Sequence, residues 1–194
     1  MKSFLIAIAC SFFFPMWATA KIQTFDAPTI CAAAKLEIPE GWKVKSSRAG
    51  TNAPEGSEDR LKNLSWTWNL TPIVGKNFEV LITALPSDGR SAESNLQKLM
   101  AGMKGQTVEN PLELKTDGEI AYFDATDPAP KPGEFKIMTL GSAKYGRHFL
   151  QFTAFYNVPG QLEKNLALGL VRSLRLVDVK TPGNFCTALL KASR

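Results

Sequence analysis

The chain is poor in the residues that carry chemistry. It has one histidine and three cysteines among 194 residues, and His148, Cys10, Cys31 and Cys186 lie far apart in sequence. The closely spaced ligand set of a zinc site is therefore missing, and no metal or cofactor is expected. No Cys-x-x-Cys pair supplies a redox couple. No Gly-x-Ser-x-Gly elbow presents a serine nucleophile, since Leu140-Gly141-Ser142-Ala143 reads only as a turn. Asp124-Ala125-Thr126-Asp127 has neither the spacing nor the glycine of a calcium loop. Glu55, Glu58, Asp59, Asp124 and Asp127 offer carboxylates for glycoside chemistry, but their context singles out no pair. His148 falls in alternation with Leu150, Phe152, Ala154 and Tyr156, where a packed or rim residue is the plainer expectation than a base. No catalytic residue is assigned. Basic residues are dispersed and do not interleave with aromatics, so nucleic-acid binding has no support. Repeats of solenoid or propeller length are also absent.

The first twenty residues read as an export signal. Lys2 gives a positive start, Phe4 to Ala9 and Phe12 to Phe14 supply the apolar run, and Ala18-Thr19-Ala20 is a small-x-small cleavage site. A membrane anchor needs about 20 uninterrupted apolar residues, which Pro15 and Thr19 interrupt, so no stable membrane insertion is expected. Lipidation at Cys10 is a minor alternative, because the apolar stretch before it is short. Cleavage would leave residues 21–194 as a single globular domain, periplasmic or secreted. The formal net charge of +5 falls by one when Lys2 is removed. That balance suits an acidic partner or an anionic surface at long range. Ordinary solubility is the blander account.

Cleavage also removes one cysteine and leaves Cys31 and Cys186, near the two ends of the mature chain. An even pair in an oxidising compartment is expected to form a disulfide. On the polymer model, closing so long a loop destabilises the unfolded chain by about 5 kcal/mol.

Apolar residues recur mostly at every second position. Leu64, Trp66, Trp68 and Leu70 share one strand face, with Ser65, Thr67 and Asn69 on the other. Phe78 to Leu85, Glu119 to Thr126, Phe135 to Leu140 and Arg147 to Asn157 read as further strands, the last two joined by the connection Gly141 to Gly146. Two helices are expected to cover this meander. The first is capped by Ser91, carries the stripe Ala92, Leu96, Leu99, Met100 and Met103, and stops at Gly105. The second follows Pro159-Gly160 with Leu162, Leu166, Leu170 and Leu174 on one side and Glu163, Lys164 and Arg172 on the other. A turn of helix is expected at Pro28 to Ala34 and a short helix at Phe185 to Lys191. Ala49 to Asn63 and Asp127 to Gly133 read as exposed loops.

The opening Leu36-Glu37-Ile38-Pro39-Glu40-Gly41-Trp42 resembles the start of domains in the PsbP-like superfamily, and Leu170-Val171-Arg172-Ser173-Leu174 resembles the end of their closing helix. The resemblance spans about residues 36–177 and points to the branch of small bacterial envelope proteins. It implies an α+β fold, a three-layer α/β/α sandwich with a mostly antiparallel sheet flanked by two main helices. It also implies a family that generally binds proteins, with no functional residue to carry over.

The expected function is a non-catalytic envelope protein that binds another protein. An immunity protein neutralising an acidic toxin is the first alternative, and a small hydrolase the second. Tyr145, Arg147 and Lys144 are the candidate partner-binding residues, because tyrosine and arginine dominate interface hot spots. Trp42 is expected to pack its strand against a helix, and a tryptophan exposed beside Tyr145, Arg147 or Lys144 would be an anchor for a protein partner.

Overall fold

The computed structural model describes residues 20–27, 31–49, 65–75, 77–86, 91–103, 112–145, 148–158 and 160–178. In chain order the elements are β1 (Lys21–Ala27), β2 (Ala32–Ile38), β3 (Trp42–Ala49), β4 (Ser65–Pro72), β5 (Phe78–Pro86), α1 (Ala92–Gly102), β6 (Lys115–Asp117), β7 (Ile120–Thr126), β8 (Ile137–Tyr145), β9 (His148–Tyr156), α2 (Gln161–Ser173) and β10 (Arg175–Asp178). Seven strands form one sheet in the order β3-β4-β5-β9-β8-β7-β6, and β1-β2-β10 form a second. Every described pairing is antiparallel. The fold is thus α+β, a large antiparallel sheet with two helices. The large sheet is two meanders, β3 to β5 and β6 to β9, joined by setting β9 beside β5.

Alternation decides which helix covers which face. Trp68, Ile82 and Phe152 stand opposite one another across β4, β5 and β9. All three are buried in a core with Leu36, Ile38, Ala167, Leu170 and Val171, so this face lies under α2 and β2. The opposite face carries Phe123, Phe149 and Ala125, packed with Ala92 and Leu96 of α1. Two-sided burial is why β9 reads as a nearly continuous apolar run.

Both helices begin where their sequences place them. The Ser91 hydroxyl accepts the Ser94 N–H at 3.2 Å and closes the first turn of α1. The helix ends through the Met103 N–H on the Leu99 and Met100 carbonyls, and Gly105 lies outside the described residues. In α2 the stripe is displaced, because Leu162 is 68% exposed while Ala167, Leu168, Leu170, Val171 and Leu174 are buried.

Two expectations are corrected. Ala32–Ala34 are strand, not helix, because β2 is paired on both sides by β1 and β10. Sheet pairing overrides the helix preference of alanine, and the small side chains of Ala27, Ala32 and Ala34 let this sheet sit close on the core. Gly141 to Tyr145 belong to β8, where Gly141 pairs with Phe152 and Tyr145 with His148. Their small residues read as a turn because Gly141 makes room for a ring. Trp42 meets Phe78 edge-on at 5.4 Å and packs against the core cluster that includes the buried residues of α2. The Pro39 to Gly41 turn forms as read, with Gly41 at φ +78° and the Trp42 N–H on the Pro39 carbonyl. Asp127, Pro128, Lys131, Pro132 and Gly133 form an exposed loop. Leu64, most of Ala49 to Asn63 and Phe185 to Lys191 lie outside the described residues.

A methyl group at Gly141 would sit 2.1 Å from Phe152 Cζ and 2.9 Å from the Ala121 carbonyl oxygen. Gly141→Ala is therefore expected to destabilise the protein by about 2–3 kcal/mol. Trimming the ring in Gly141→Ala/Phe152→Leu should cost less than the two single changes added together. Denaturant midpoints of the four proteins test this, and strict additivity would show that the ring and the glycine are not coupled.

Candidate functional site

Among the described residues, the densest polar cluster lies where β6, β7 and β8 meet α2. Asp124 shares a sheet face with Thr139 across the β7–β8 pair. Its carboxylate accepts from Thr139 Oγ1 at 2.6 Å, Lys115 Nζ at 2.9 Å and Lys164 Nζ at 3.1 Å. Thr139 Oγ1 in turn lies 2.9 Å from Tyr156 Oη. Burial pushes the Asp124 carboxyl up, but the three hydrogen bonds and the Lys164 charge outweigh it and hold its pKa below the ordinary 3.8. The Lys115 ammonium is raised, first by its hydrogen bond to Asp124. Burial raises the Tyr156 phenol as well. A carboxylate that already accepts three donors and is held ionised is a poor proton acceptor, and these bonds make the cluster a lock between α2 and the sheet.

The second site is a surface groove of about 440 Å³ at the C-terminal end of α2, lined by Asp117, Glu119, Tyr145, Arg172 and Arg175 among others. The β6–β7 turn supplies the acids, β8 the tyrosine, and the end of α2 with the start of β10 the arginines. Arg172 is ion-paired with Asp117. Arg175 Nη1 donates to the carbonyls of Arg172 and Leu174 at 2.5 and 2.9 Å. Tyr145 Oη donates to the Val171 carbonyl at 3.0 Å, and burial raises its pKa. Carbonyls at a helix C-terminus lack intrahelical donors and favour cations. The last turn of α2 thus fixes both Tyr145 and Arg175.

Of the three residues proposed from sequence, Tyr145 lines this groove and is half-buried. Lys144 is exposed on the other face of β8, opposite Phe149, so adjacent positions separate the two side chains. Arg147 lies outside the described residues, as does Cys186. Cys31 is buried, disulfide-bonded, and sits at φ 56° just before β2. His148 is buried on the Leu150 face of β9. Trp68 is buried, and Trp42 and Trp66 are half-buried, so no described tryptophan is an exposed anchor. Among the described residues no group of three His, Cys, Asp or Glu side chains is placed to hold a metal. No described helix is long and apolar enough to cross a membrane. Asp117, Arg172 and Arg175 went unnoticed as site residues, because only the fold brings the β6–β7 turn to the end of α2.

No family model matches the sequence, and no curated protein matches it. Among solved structures, a protein of Bacteroides thetaiotaomicron is similar with a TM-score of 0.49 and 11% identity, over 82% of this chain and 50% of that one. The chain therefore spans half the length of that protein. The solution structure of cyanobacterial PsbP (CyanoP) from Synechocystis sp. PCC 6803 is similar with a TM-score of 0.47 and 10% identity, over 82% of this chain and 94% of that one.

The Asp124 lock carries a pH signature. Its carboxyl is held below the unfolded value, so the stabilisation is complete above that value and is lost as pH falls through the folded one. The raised Lys115 sets the opposite limit, where stabilisation is lost as pH rises above the ordinary lysine range. Asp124→Asn is expected to cost about 2 kcal/mol at neutral pH, since it weakens two charge-assisted bonds and leaves Lys164 half-buried without its counter-ion. The deficit against wild type should shrink below about pH 4. Urea melts across pH 2–7, taken as about that range for carboxylate titration, would refute the lock if the deficit stayed constant.

Proposed function

We propose that this chain is an exported, non-catalytic domain of the PsbP-like kind that binds another protein in the cell envelope. The observation that carries the reading is the groove at the end of α2, where Tyr145, Arg172 and Arg175 line one surface. These residue types recur as interface anchors. Here two of them are held in place by backbone carbonyls before any partner arrives, which lowers the ordering cost of binding. The main half-buried carboxylate, Asp124, is already committed to three donors. The groove therefore offers recognition, and the lock offers no poised acid or base.

Export is supported by the charged start, apolar run and Ala18-Thr19-Ala20 site. A Cys31–Cys186 bridge is supported by the burial and disulfide-bonded state of Cys31 and by the expected loss of Cys10 with the leader. The order of β2, a turn, β3 to β5, α1, further strands, α2 and β10 supports the PsbP-like reading across residues 36–177, with four strands between the helices where three were expected.

Two measurements test this reading. Intact mass of the exported protein should start at Lys21, with no thiol titrating until reductant is added. Tagged wild-type protein should retain a partner from native envelope extracts. With that partner purified, Arg172→Glu and Tyr145→Ala should each weaken binding about tenfold or more. Unchanged affinity in both variants, with native circular dichroism, would remove the groove as the binding surface.

A further inference from the structure

The outer face of the three-stranded sheet holds an electrostatic conflict. Arg175 of β10 and Lys35 of β2 are directly opposed in register, so their side chains leave the same face from neighbouring strands. Directly opposed residues have Cβ atoms about 5 Å apart, and like charges there are destabilising. Both residues are exposed, and among the described residues neither has an ion-pair partner. The same two side chains border a second groove of about 150 Å³ with Ile22, Leu36, Glu37 and Ser173. Arg175 also lines the larger groove, so it stands on the ridge between the two.

The position is prepared for a ligand in two further ways. Arg175 Nη1 is spent on the Arg172 and Leu174 carbonyls, which fixes the guanidinium plane and leaves its remaining donors for another acceptor. Ser173 is satisfied, because its hydroxyl accepts the Glu37 N–H and donates to the Leu170 carbonyl. The groove therefore holds two cations against one carboxylate, that of Glu37, and keeps a positive balance.

We infer that Lys35 and Arg175 form the recognition point for a carboxylate on an extended, acidic segment of the protein partner. This rests on the reading that the chain binds a protein. The charge count favours a carboxylate over a phosphate dianion, since Glu37 lines the groove beside the two cations and leaves one net positive charge. Asp26, on the same face of β1, pairs with Ala33 one row away and does not line the groove. Ile22, 69% exposed, gives the methylenes of a glutamate an apolar edge to lie on.

Lys35→Glu separates the site from the fold. It converts the opposed like charges into an attractive pair, so the melting temperature should stay level or rise by about 1–3 °C. In the mature protein, a blocked peptide with one central glutamate should shift the backbone amides of Lys35 to Glu37 and Ser173 to Leu176. Its glutamine counterpart and inorganic phosphate should act at least tenfold more weakly, and Lys35→Glu should lose the response at least tenfold. Equal shifts from the glutamine peptide, equal or stronger shifts from phosphate, or an unaltered response in Lys35→Glu would each overturn the inference. Partner capture then separates the two levels. Equal retention by wild type and Lys35→Glu overturns the carboxylate site alone, whereas retention by neither overturns the protein-binding reading and this inference with it.

Discussion

A seven-stranded sheet that is apolar on both faces must be covered on both, and most of this structure follows from that requirement. β9 lies between β5 and β8 and buries Leu150, Phe152 and Ala154 on one side and Phe149 on the other. Fully burying a side chain of this size contributes about 2 kcal/mol relative to exposure, so leaving either face open would be costly. α1 covers the Phe149 side. The other side is wider, and α2 shares it with β2. The small sheet is thus part of the roof over the core. Its alanines are what bring it near enough, with Ala32 and Ala34 buried beneath and Lys35 and Glu37 exposed above.

Covering a sheet with a helix leaves polar edges, and here the edges divide the work. At the N-terminal part of α2, Lys164 reaches down to Asp124 and joins the lysine of β6 in closing the flank. At the C-terminal end, the Val171 carbonyl takes Tyr145 Oη and the Arg172 carbonyl takes Arg175 Nη1. The first edge is internally neutralised and partly buried, and so contributes to stability. The second displays tyrosine and arginine in an open groove. The same helix is anchored at one end and offers a surface at the other.

Much of the fold was legible because it depends on local pattern. Period-two alternation placed Trp66, Trp68 and Leu70 on one face, and the Ser91 cap and the Leu-rich stripe placed both helices. Three features were illegible for a shared reason, since each depends on a distant neighbour. Gly141 is strand only because Phe152 needs the space above it. Ala32–Ala34 are strand only because β1 and β10 flank them. Leu162 leaves the stripe because the first turn of α2 stands clear of the core, which periodicity alone cannot report. The site was less legible than the fold. Tyr145 was read as an anchor, but its neighbour Lys144 points the other way, and its groove companions come from positions 117, 172 and 175. No motif links those positions.

The contrast between catalysis and binding comes down to which groups are left unfinished. A general base needs an available lone pair and a pKa near the working pH. Asp124 is unsuited, because Thr139 and two lysines already donate to it and hold it ionised below its ordinary pKa. Recognition needs donors that are already oriented and not yet satisfied. Arg175 meets that description because the geometry of a helix end, where carbonyls have no intrahelical partner, recruits one side of its guanidinium and leaves the other side outward. The fold uses two of the five N–H donors of Arg175 and leaves the rest for another acceptor. Lys35 has no such structural role, and the fold would be better served by a neutral residue opposite Arg175. Its repulsion is tolerable on an exposed sheet, and a carboxylate set between the two cations would relieve it.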